Sequence, residues 1–527
     1  MNSFEEVVDK LKTVYDTSEP LYLSSFFQPN GEKWLYESLS ALHQEEYKNN
    51  YRIIVVQDCN DVYDYADLPG QAITALQKFS SQIDISNFFI LLISNNQQIK
   101  EELAQAQELY STDANPIQHY IVDLVPYEKT ITTGDTFCIL PWMHIYVGTD
   151  GNLLPCCNGM HQHPMGNVRT DSIDNILKSS KYNQLRKNLL TGQRSKECKR
   201  CYDFEDAGHQ SSRLKNNKKW AHLKTLEFNN DGTVDKFTPA FLDIRLSNIC
   251  NLKCRMCDGY FSSAIAQEDA ELFGNYTHLN NSLPNKDRQA ELVDILKYVP
   301  FAEEIYFAGG EPLLSSEHYE MLNKLIECGN TNLRLFYNTN FTKLSFKNIS
   351  VTDLWNKFSN VTVGASLDAM GDVAEYVRFG TDWKEIEQNL ARVKAEAPHV
   401  NFTVMSTVSF MTVASLIELQ KQWHNNNILN INKFTLNTTI SPDYLTVRVL
   451  PSEHKQQMSL LISEHIQWCR ENHASKLAGQ WQETLDYMLS ADHSHCLGQF
   501  KHLTNIVDIH RNQSFVKVFP EFQDLLS

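Results

Sequence analysis

Eight residues carry the densest reactive chemistry in this chain of 527: the stretch CNLKCRMC, from Cys250 through Cys254 to Cys257. Cysteine thiolates are the ordinary ligands of iron-sulfur clusters. A four-iron cubane held by only these three cysteines keeps one iron open to a second molecule. A structural zinc site is the competing reading, although zinc sites usually join CxxC pairs into four ligands. A second thiol group precedes the first: Cys138, Cys156, Cys157, Cys198 and Cys201 are five of the twelve cysteines and fall in a loop-rich stretch. Four of them, Cys138, Cys156, Cys198 and Cys201, suffice to fill every iron of a cubane, with Cys157 a spare or substitute. Zinc competes here too, because the group contains a CxxC.

Composition bounds the setting of these thiols. The formal charge of -17 argues against nucleic acid as the main partner, because phosphate binding needs a basic face. The start, MNSFEEVVDK, has acidic residues and no apolar core of signal-peptide length. No run approaches the ~18 apolar residues of a membrane span. The expectation is therefore a cytoplasmic protein with no membrane partner, whose cysteines are thiols or metal ligands because that compartment is reducing. The length implies about three domains.

The elements that must position the thiols follow from hydrophobic pattern. From about Leu21 to Asp123 short β-rich runs, LYLSSFF, YRIIVVQ, FFILLIS and HYIVD, alternate with periodic polar stretches at 32–47, 70–81 and 97–110. The pattern predicts an N-terminal doubly wound α/β (Rossmann-like) domain over 1–127, with any ligand beyond its strand ends at Gln28-Pro29-Asn30-Gly31 and Gln57-Asp58-Cys59-Asn60. Cys59 alone reads as a buried thiol. From Phe241 onward strands and helices alternate again, each strand ending in polar residues: the cluster loop, then Gly309-Gly310-Glu311-Pro312, then Asn338 and Asn340, then Ser366 and Asp368. This is the layout of a (β/α) barrel whose chemistry sits at the C-terminal strand ends. Residues 441–527 read as a mostly helical extension in which Cys469 and Cys496, like Cys328 earlier, are buried rather than catalytic.

CxxxCxxC directly after a strand resembles the signature of the radical S-adenosylmethionine (SAM) superfamily. The resemblance implies a partial (β/α)6 barrel over 236–440, a [4Fe-4S] cluster on Cys250, Cys254 and Cys257, and SAM chelated at the open iron. It further implies that Gly309, Gly310, Glu311 and Pro312 hydrogen-bond the SAM amino group. Asn338 and Asn340 would line the mouth, Ser366 and Asp368 would face ribose and substrate, and Arg378 would hold the SAM carboxylate. Met256 stands where many relatives have an aromatic residue. The segment from Cys138 through Gly151 to Cys156, with MGNVRTDSIDNILKSSKYNQLRKNLLTG and CKRC after it, resembles a SPASM domain cut short to the twitch form, with one auxiliary [4Fe-4S] cluster. It is expected over 128–235, ahead of the barrel rather than behind it as in most relatives.

That resemblance implies a radical enzyme that oxidatively modifies a peptide or protein. An amino sugar or nucleotide is the alternative substrate, and a non-catalytic partner-binding chain the second alternative. The N-terminal layout also occurs in cobalamin domains, but no Asp-x-His-x-x-Gly loop is present, and substrate recognition or docking is the preferred role. Ten basic residues between Arg186 and Lys219, against four acids, suggest a patch for a flavodoxin- or ferredoxin-like reductant or for an acidic peptide, with a solvated surface as the alternative.

Overall fold

The computed structural model describes residues 136–526 except 207, 209, 226–228, 235–236, 246 and 280–285, together with four strands in the first 135 residues. The chain divides into two compact units. One comprises Met1–Thr133 with Leu214–Glu227, the other Gly134–Arg213 with Phe228–Ser527.

In the first unit the described strands are β1 (Tyr22–Ser25), β2 (Arg52–Gln57), β3 (Phe88–Ile93) and β4 (Gln118–Val122). They coincide with the four β-rich runs and pair in parallel in the order β1-β2-β3-β4. A doubly wound sheet reverses direction at a switch point. Among these described strands the order advances one way only. The expected helices, the strand-end loops at 28–31 and 58–60, and Cys59 lie outside the described residues.

The second unit is built on one nine-stranded sheet. Its first strands are β5 (His144–Val147), β6 (Asn152–Leu154), β7 (Gly166–Asn167) and β8 (Phe241–Ile244); the cluster loop contributes a separate short strand, β9 (Lys253–Cys254). Next come β10 (Glu304–Phe307), β11 (Arg334–Thr339), the small hairpin β12 (Ser345–Phe346) and β13 (Ile349–Ser350), and β14 (Asn360–Ala365). Last are β15 (Arg378–Phe379), β16 (Asn401–Val408) and β17 (Phe434–Thr438). The sheet order is β17-β16-β14-β11-β10-β8-β5-β6-β7. Six neighbours, β8 to β17, run in sequence order and in parallel, with helices between them. The large parallel sheet of a mixed α/β fold is thus present, and β5 extends it by pairing in parallel with β8.

Sequence dictates the two faces of this sheet. Along β16 and β11 burial alternates residue by residue, because successive side chains on a strand point to opposite faces. The fully buried face packs on helices such as Trp383–Glu396, where Trp383, Ile386, Leu390 and Val393 recur at helical spacing and Asp382 caps the first turn by accepting from Lys384 N and Glu385 N. Each such apolar side chain contributes about 1.5–3 kcal/mol. The opposite face, with Tyr306, Phe336, Asn338, Thr403 and Met405, is only half buried.

Candidate functional site

The cluster loop leaves β8 and is held by backbone bonds from two sides. β9 pairs antiparallel with β15, so Arg378 lies opposite Cys254, and Arg255 N donates to Val377 O at 2.8 Å. On the other side Glu311 N donates to Ile249 O at 2.7 Å and Gly310 N to Ser247 O at 3.0 Å. A side chain on Gly310 would meet the backbone carbonyls of Asn248 and Ile249. This glycine lets the strand-end turn press against the cluster loop, which is a closer constraint than the ligand approach that the sequence suggested. Gly309 adopts φ +114°, a conformation that side chains strongly disfavour.

The thiols differ in setting. Cys250 and Cys254 are half-buried and Cys257 is exposed, yet protein rings all three, and burial raises each thiol, that of Cys250 to about 12. Free thiols of this kind keep their protons at neutral pH, so metal binding must displace them.

Polar groups of opposite sign flank the loop. Arg378 donates from Nε to Asp368 Oδ2 at 2.7 Å, and its terminal nitrogen lies 3.5 Å from Cys254 Sγ. Asp368 is 1% exposed. Its other oxygen accepts from Thr407 N at 2.7 Å, so both its oxygens are engaged within the protein and hold the guanidinium in place. Glu311 is also buried. It accepts from Thr339 Oγ1 at 2.7 Å, Asn340 N at 2.6 Å and Leu313 N at 3.0 Å, and Pro312 starts the short turn that this carboxylate caps. Burial outweighs those three bonds and raises its carboxyl to about 7. Asn340 turns to the loop itself, donating to Asn251 Oδ1 at 2.9 Å and lying 3.8 Å from Cys250 Sγ. Asn338 sits on the half-buried sheet face with its Oδ1 buried and unpartnered. Ser366 is half-buried and donates its backbone N to Thr339 O.

Several residues that secure the loop were not singled out from sequence. Arg511, at the end of the helix Leu497–Arg511, grips Glu268 with Nε at 3.0 Å and Nη2 at 2.5 Å, and donates to Lys253 O at 2.8 Å. Arg255 pairs with Asp508 of the same helix and lies over the Tyr376 ring. These partners are more than 240 positions apart, and no local pattern signals them. The C-terminal extension thus fastens the cluster loop.

The second thiol group is more enclosed. Cys138 and Cys201 are buried, Cys156 and Cys198 half-buried. Cys156 lies within electrostatic reach of Cys138, Cys198 and Cys201, and Cys198 of Cys138 and Cys201. Cys157 is exposed and faces the charges of Asp243 and Arg245. Arg213 grips Glu205 with Nε at 3.0 Å and Nη2 at 2.5 Å and donates to Phe137 O beside Cys138. Among the described residues no three His, Cys, Asp or Glu side chains converge as a single metal ion requires.

The two thiol groups are tied together. Thr149 Oγ1 donates to Tyr260 O at 2.8 Å, and Tyr260 OH donates to Asp150 Oδ1 at 3.1 Å. The turn between β5 and β6 is thereby docked on the segment that follows Cys257. The basic run, by contrast, is not exposed throughout. Arg186 and Arg213 are buried, Arg194 pairs with Asp206 and Lys199 with Asp203. Cys328 is exposed rather than buried, while Cys469 is buried against His465.

Comparison with known proteins adds the following. A family model for the SPASM iron-sulfur cluster-binding domain matches residues 138–202, and one for the radical SAM superfamily matches residues 244–419. None of the curated proteins matches. Among solved structures, "Native anSMEcpe with bound AdoMet and Cp18Cys peptide" is similar at 16% identity and TM-score 0.27, over 44% of this chain and 61% of that one. A tagged form of anSMEcpe with bound AdoMet follows at 18% and 0.31, over 44% and 60%. Streptococcus suis SuiB bound to S-adenosylmethionine gives 15% and 0.27, over 44% and 46%. The chain thus spans about three fifths or less of these solved chains. No helix among the described residues is long and apolar enough to cross a membrane. The two matched regions carry the two thiol groups between them, so the radical SAM match brings a [4Fe-4S] cluster and SAM to this chain and the SPASM match an auxiliary iron-sulfur site.

Proposed function

We propose that this chain is a radical SAM enzyme that cleaves SAM reductively and oxidatively modifies a peptide or protein substrate. The observation that carries the reading is the flanking of three thiols by a buried carboxylate on one side and a guanidinium on the other. Cys250 feels the charge of Glu311, and Cys254 touches Arg378. An amino acid with an ammonium and a carboxylate, as SAM has, is matched by that pair. When bound, the cluster and SAM supply a 5'-deoxyadenosyl radical able to remove a hydrogen atom from an unactivated C-H bond.

The rest is the work of the chain. Cys250, Cys254 and Cys257 hold the cluster. Glu311 accepts the SAM ammonium, with Gly309, Gly310 and Pro312 shaping its turn. Arg378, oriented by Asp368, takes the carboxylate. Asn340 fixes the loop, and Asn338 and Ser366 face the mouth. Cys138, Cys156, Cys198 and Cys201 fill every position of the auxiliary cluster, which then lacks an open iron for SAM and serves electron transfer. Cys157, turned toward Asp243 and Arg245, is outside that set.

In this reading residues 236–440 form the partial barrel, and residues 128–235 a twitch-like domain that precedes it. Residues 441–527 are the helical extension, and residues 1–127 an α/β domain for substrate recognition or docking. A flavodoxin- or ferredoxin-like protein is the proposed reductant, and the cytoplasm the proposed location. The test is anaerobic reconstitution with iron and sulfide, then reduction with dithionite in the presence of SAM. Wild-type protein should release 5'-deoxyadenosine, and the triple change of Cys250, Cys254 and Cys257 to alanine should release none. Release by the triple variant at the wild-type rate would rule the assignment out.

A further inference from the structure

The half-buried face of the sheet carries a second arginine that the proposed SAM site does not use. Parallel register places side chains in layers on this face. Tyr146, Asp243, Tyr306 and Phe336 are mutually in register. Two residues further along their strands come Arg245 and, in register with each other, Asn338 and Gly364. Arg245 is thus one layer closer to the cluster loop than the Tyr306 and Phe336 rings, which lie 5.3 Å apart. The Tyr146, Phe261 and Tyr306 rings stand 5.2, 5.5 and 6.0 Å from its guanidinium.

A buried arginine beside a buried aspartate is ordinarily a simple ion pair, and the geometry here argues against that reading. Arg194, Arg213 and Arg511 each grip a carboxylate through two nitrogens at 2.5 to 3.0 Å. Arg245 meets Asp243 through Nε alone, at 3.3 Å. Among the described residues its two terminal nitrogens have no hydrogen-bond partner, although four N-H donors there form the fork that suits a carboxylate. The side chain is 15% exposed and so is not sealed from solvent. Asn338 stands on the same face, but its Oδ1 is buried and leans toward Gly364, where an added Cβ would lie 3.1 Å from it, on the side away from Arg245. One strand, β10, lies between them, so their backbones are about 10 Å apart. At that level β10 is followed by Ala308, which has only a methyl group to fill the gap. On this β10 side Arg245 also packs against Gly309, where an added Cβ would lie 3.0 Å from the Arg245 Cβ, and on its other side it faces Cys157. The open fork therefore lies between the two cysteine-bearing segments.

We propose that Arg245 is the substrate anchor, its open fork taking a carboxylate of a peptide, with the Tyr146, Tyr306 and Phe261 rings packing around the bound residue. The inference rests on the radical SAM reading only in assigning this recess to the substrate. The carboxylate is either the C-terminus of the peptide or an acidic side chain.

Reconstituted enzyme loaded with SAM is dialysed against three pools of N-acetylated pentapeptides, and retained peptides are counted by mass spectrometry. One pool has free C-termini and no acidic side chains, one is C-terminally amidated with a single glutamate, and one is amidated and neutral. Wild-type protein should retain one of the carboxylate pools at least about tenfold over the neutral pool, the effect of a charged hydrogen bond. Arg245→Gln should erase that preference with iron content unchanged. Retention of the first pool assigns the C-terminus, and retention of the second the acidic side chain. Equal retention of all pools, no retention of any, or an unchanged preference in Arg245→Gln would overturn the anchor. If Arg245→Gln loses iron, Arg245→Lys replaces it, keeping the charge without the fork, with a loss of about threefold or more expected and an unchanged preference counting against the proposal. Wild-type enzyme that releases 5'-deoxyadenosine but shows no preference sinks only this inference. Protein that shows the preference but releases none sinks only the reading of its chemistry.

Discussion

The two thiol groups share a ligand type and differ in almost everything around it. Cys250, Cys254 and Cys257 lie on one short loop at strand ends, half-buried to exposed, with a guanidinium, a carboxamide and a buried carboxylate as neighbours. Cys138, Cys156, Cys198 and Cys201 are drawn from three separate stretches and set among Phe137, Trp142, Tyr182 and Tyr202, all buried. The first arrangement presents an opening lined with groups that bind ions. The second closes around its contents. In the proposed reading the first site has an open position for substrate activation and the second a filled one for electron transfer, and the surroundings agree with the division that three cysteines against four had already suggested.

The largest effect expected from breaking this comparison is in iron content. Replacing Cys250, Cys254 and Cys257 by alanine should remove about half of roughly eight irons. Replacing Cys198 and Cys201 should remove the other half and preserve the electron paramagnetic signal of the SAM-responsive cluster. Iron and electron paramagnetic measurements on both variants check this. Zinc in the wild-type protein that is lost in the second variant would end the iron-sulfur assignment there.

The next effect concerns what fastens each group. Arg511 and Glu268 form a buried two-nitrogen grip whose side chains are each 4% exposed, and breaking such a pair by removing one partner costs about 3–5 kcal/mol. Arg511→Met should therefore lower the thermal midpoint and impair loading of the first group, because Arg511 also holds Lys253 O beside Cys254. The auxiliary site has no contact with Arg511 among those described, and its loading should persist in the folded fraction. Equal loss from both groups would mean that the helix Leu497–Arg511 is a general support and not a clamp on one loop.

A smaller effect is expected at Arg378. Its substitution by alanine should weaken SAM binding by about 1.5–3 kcal/mol, the range for a charged hydrogen bond, as measured by calorimetry on loaded protein. Arg378→Lys keeps the charge but loses the fork that meets Asp368 and Cys254 together, and should fall between wild type and alanine. Wild-type affinity in the alanine variant would remove Arg378 from the site.

How much of this was legible beforehand varied with the range of the interaction. The six parallel strands β8, β10, β11, β14, β16 and β17 were readable because β-branched and apolar residues recur locally, and the cluster loop because its three cysteines are near neighbours in sequence. Arg378 and Asp368 were named, but not their bond to each other, since Asp368 was expected to face ribose or substrate and its oxygens go to Arg378 and Thr407. The need for glycine at 310 was visible, while its cause, the backbone of residues 248 and 249, lay about sixty positions away. The basic run from Arg186 did not show which of its members lie inside, because charge in sequence says nothing of partners: Arg186 is buried and donates to the carbonyls of Pro141 and Leu177. One signal was present and went unused. Asp243 and Arg245 alternate on a strand otherwise apolar, which puts both charges on its inner face.

The smallest effect is a pH dependence that belongs to the first group alone. Burial raises the Glu311 carboxyl from the ordinary 4.5 to about 7. In the protein without SAM the neutral form is therefore favoured. The associated stability is fully present below about pH 4.5 and is lost as pH rises through about 7, because over that interval the unfolded chain has already released the proton that the folded chain retains. An ammonium group reverses the preference by favouring the carboxylate, so SAM should bind with release of a proton below pH 7. The ionised fraction rises from about a tenth at pH 6 to about a half at pH 7, which predicts affinity about fivefold higher at pH 7. Above about pH 7.7 an α-amino group begins to lose its own proton, so the profile should pass through a maximum. Glu311→Gln should bind SAM more weakly, with the acidic limb flattened. Calorimetry of SAM binding in two buffers of different ionisation enthalpy counts the released proton directly. A wild-type affinity that is level from pH 6 to 7 would mean that Glu311 does not meet the ammonium, and would leave the contrast between the two thiol groups resting on Arg378 and exposure alone.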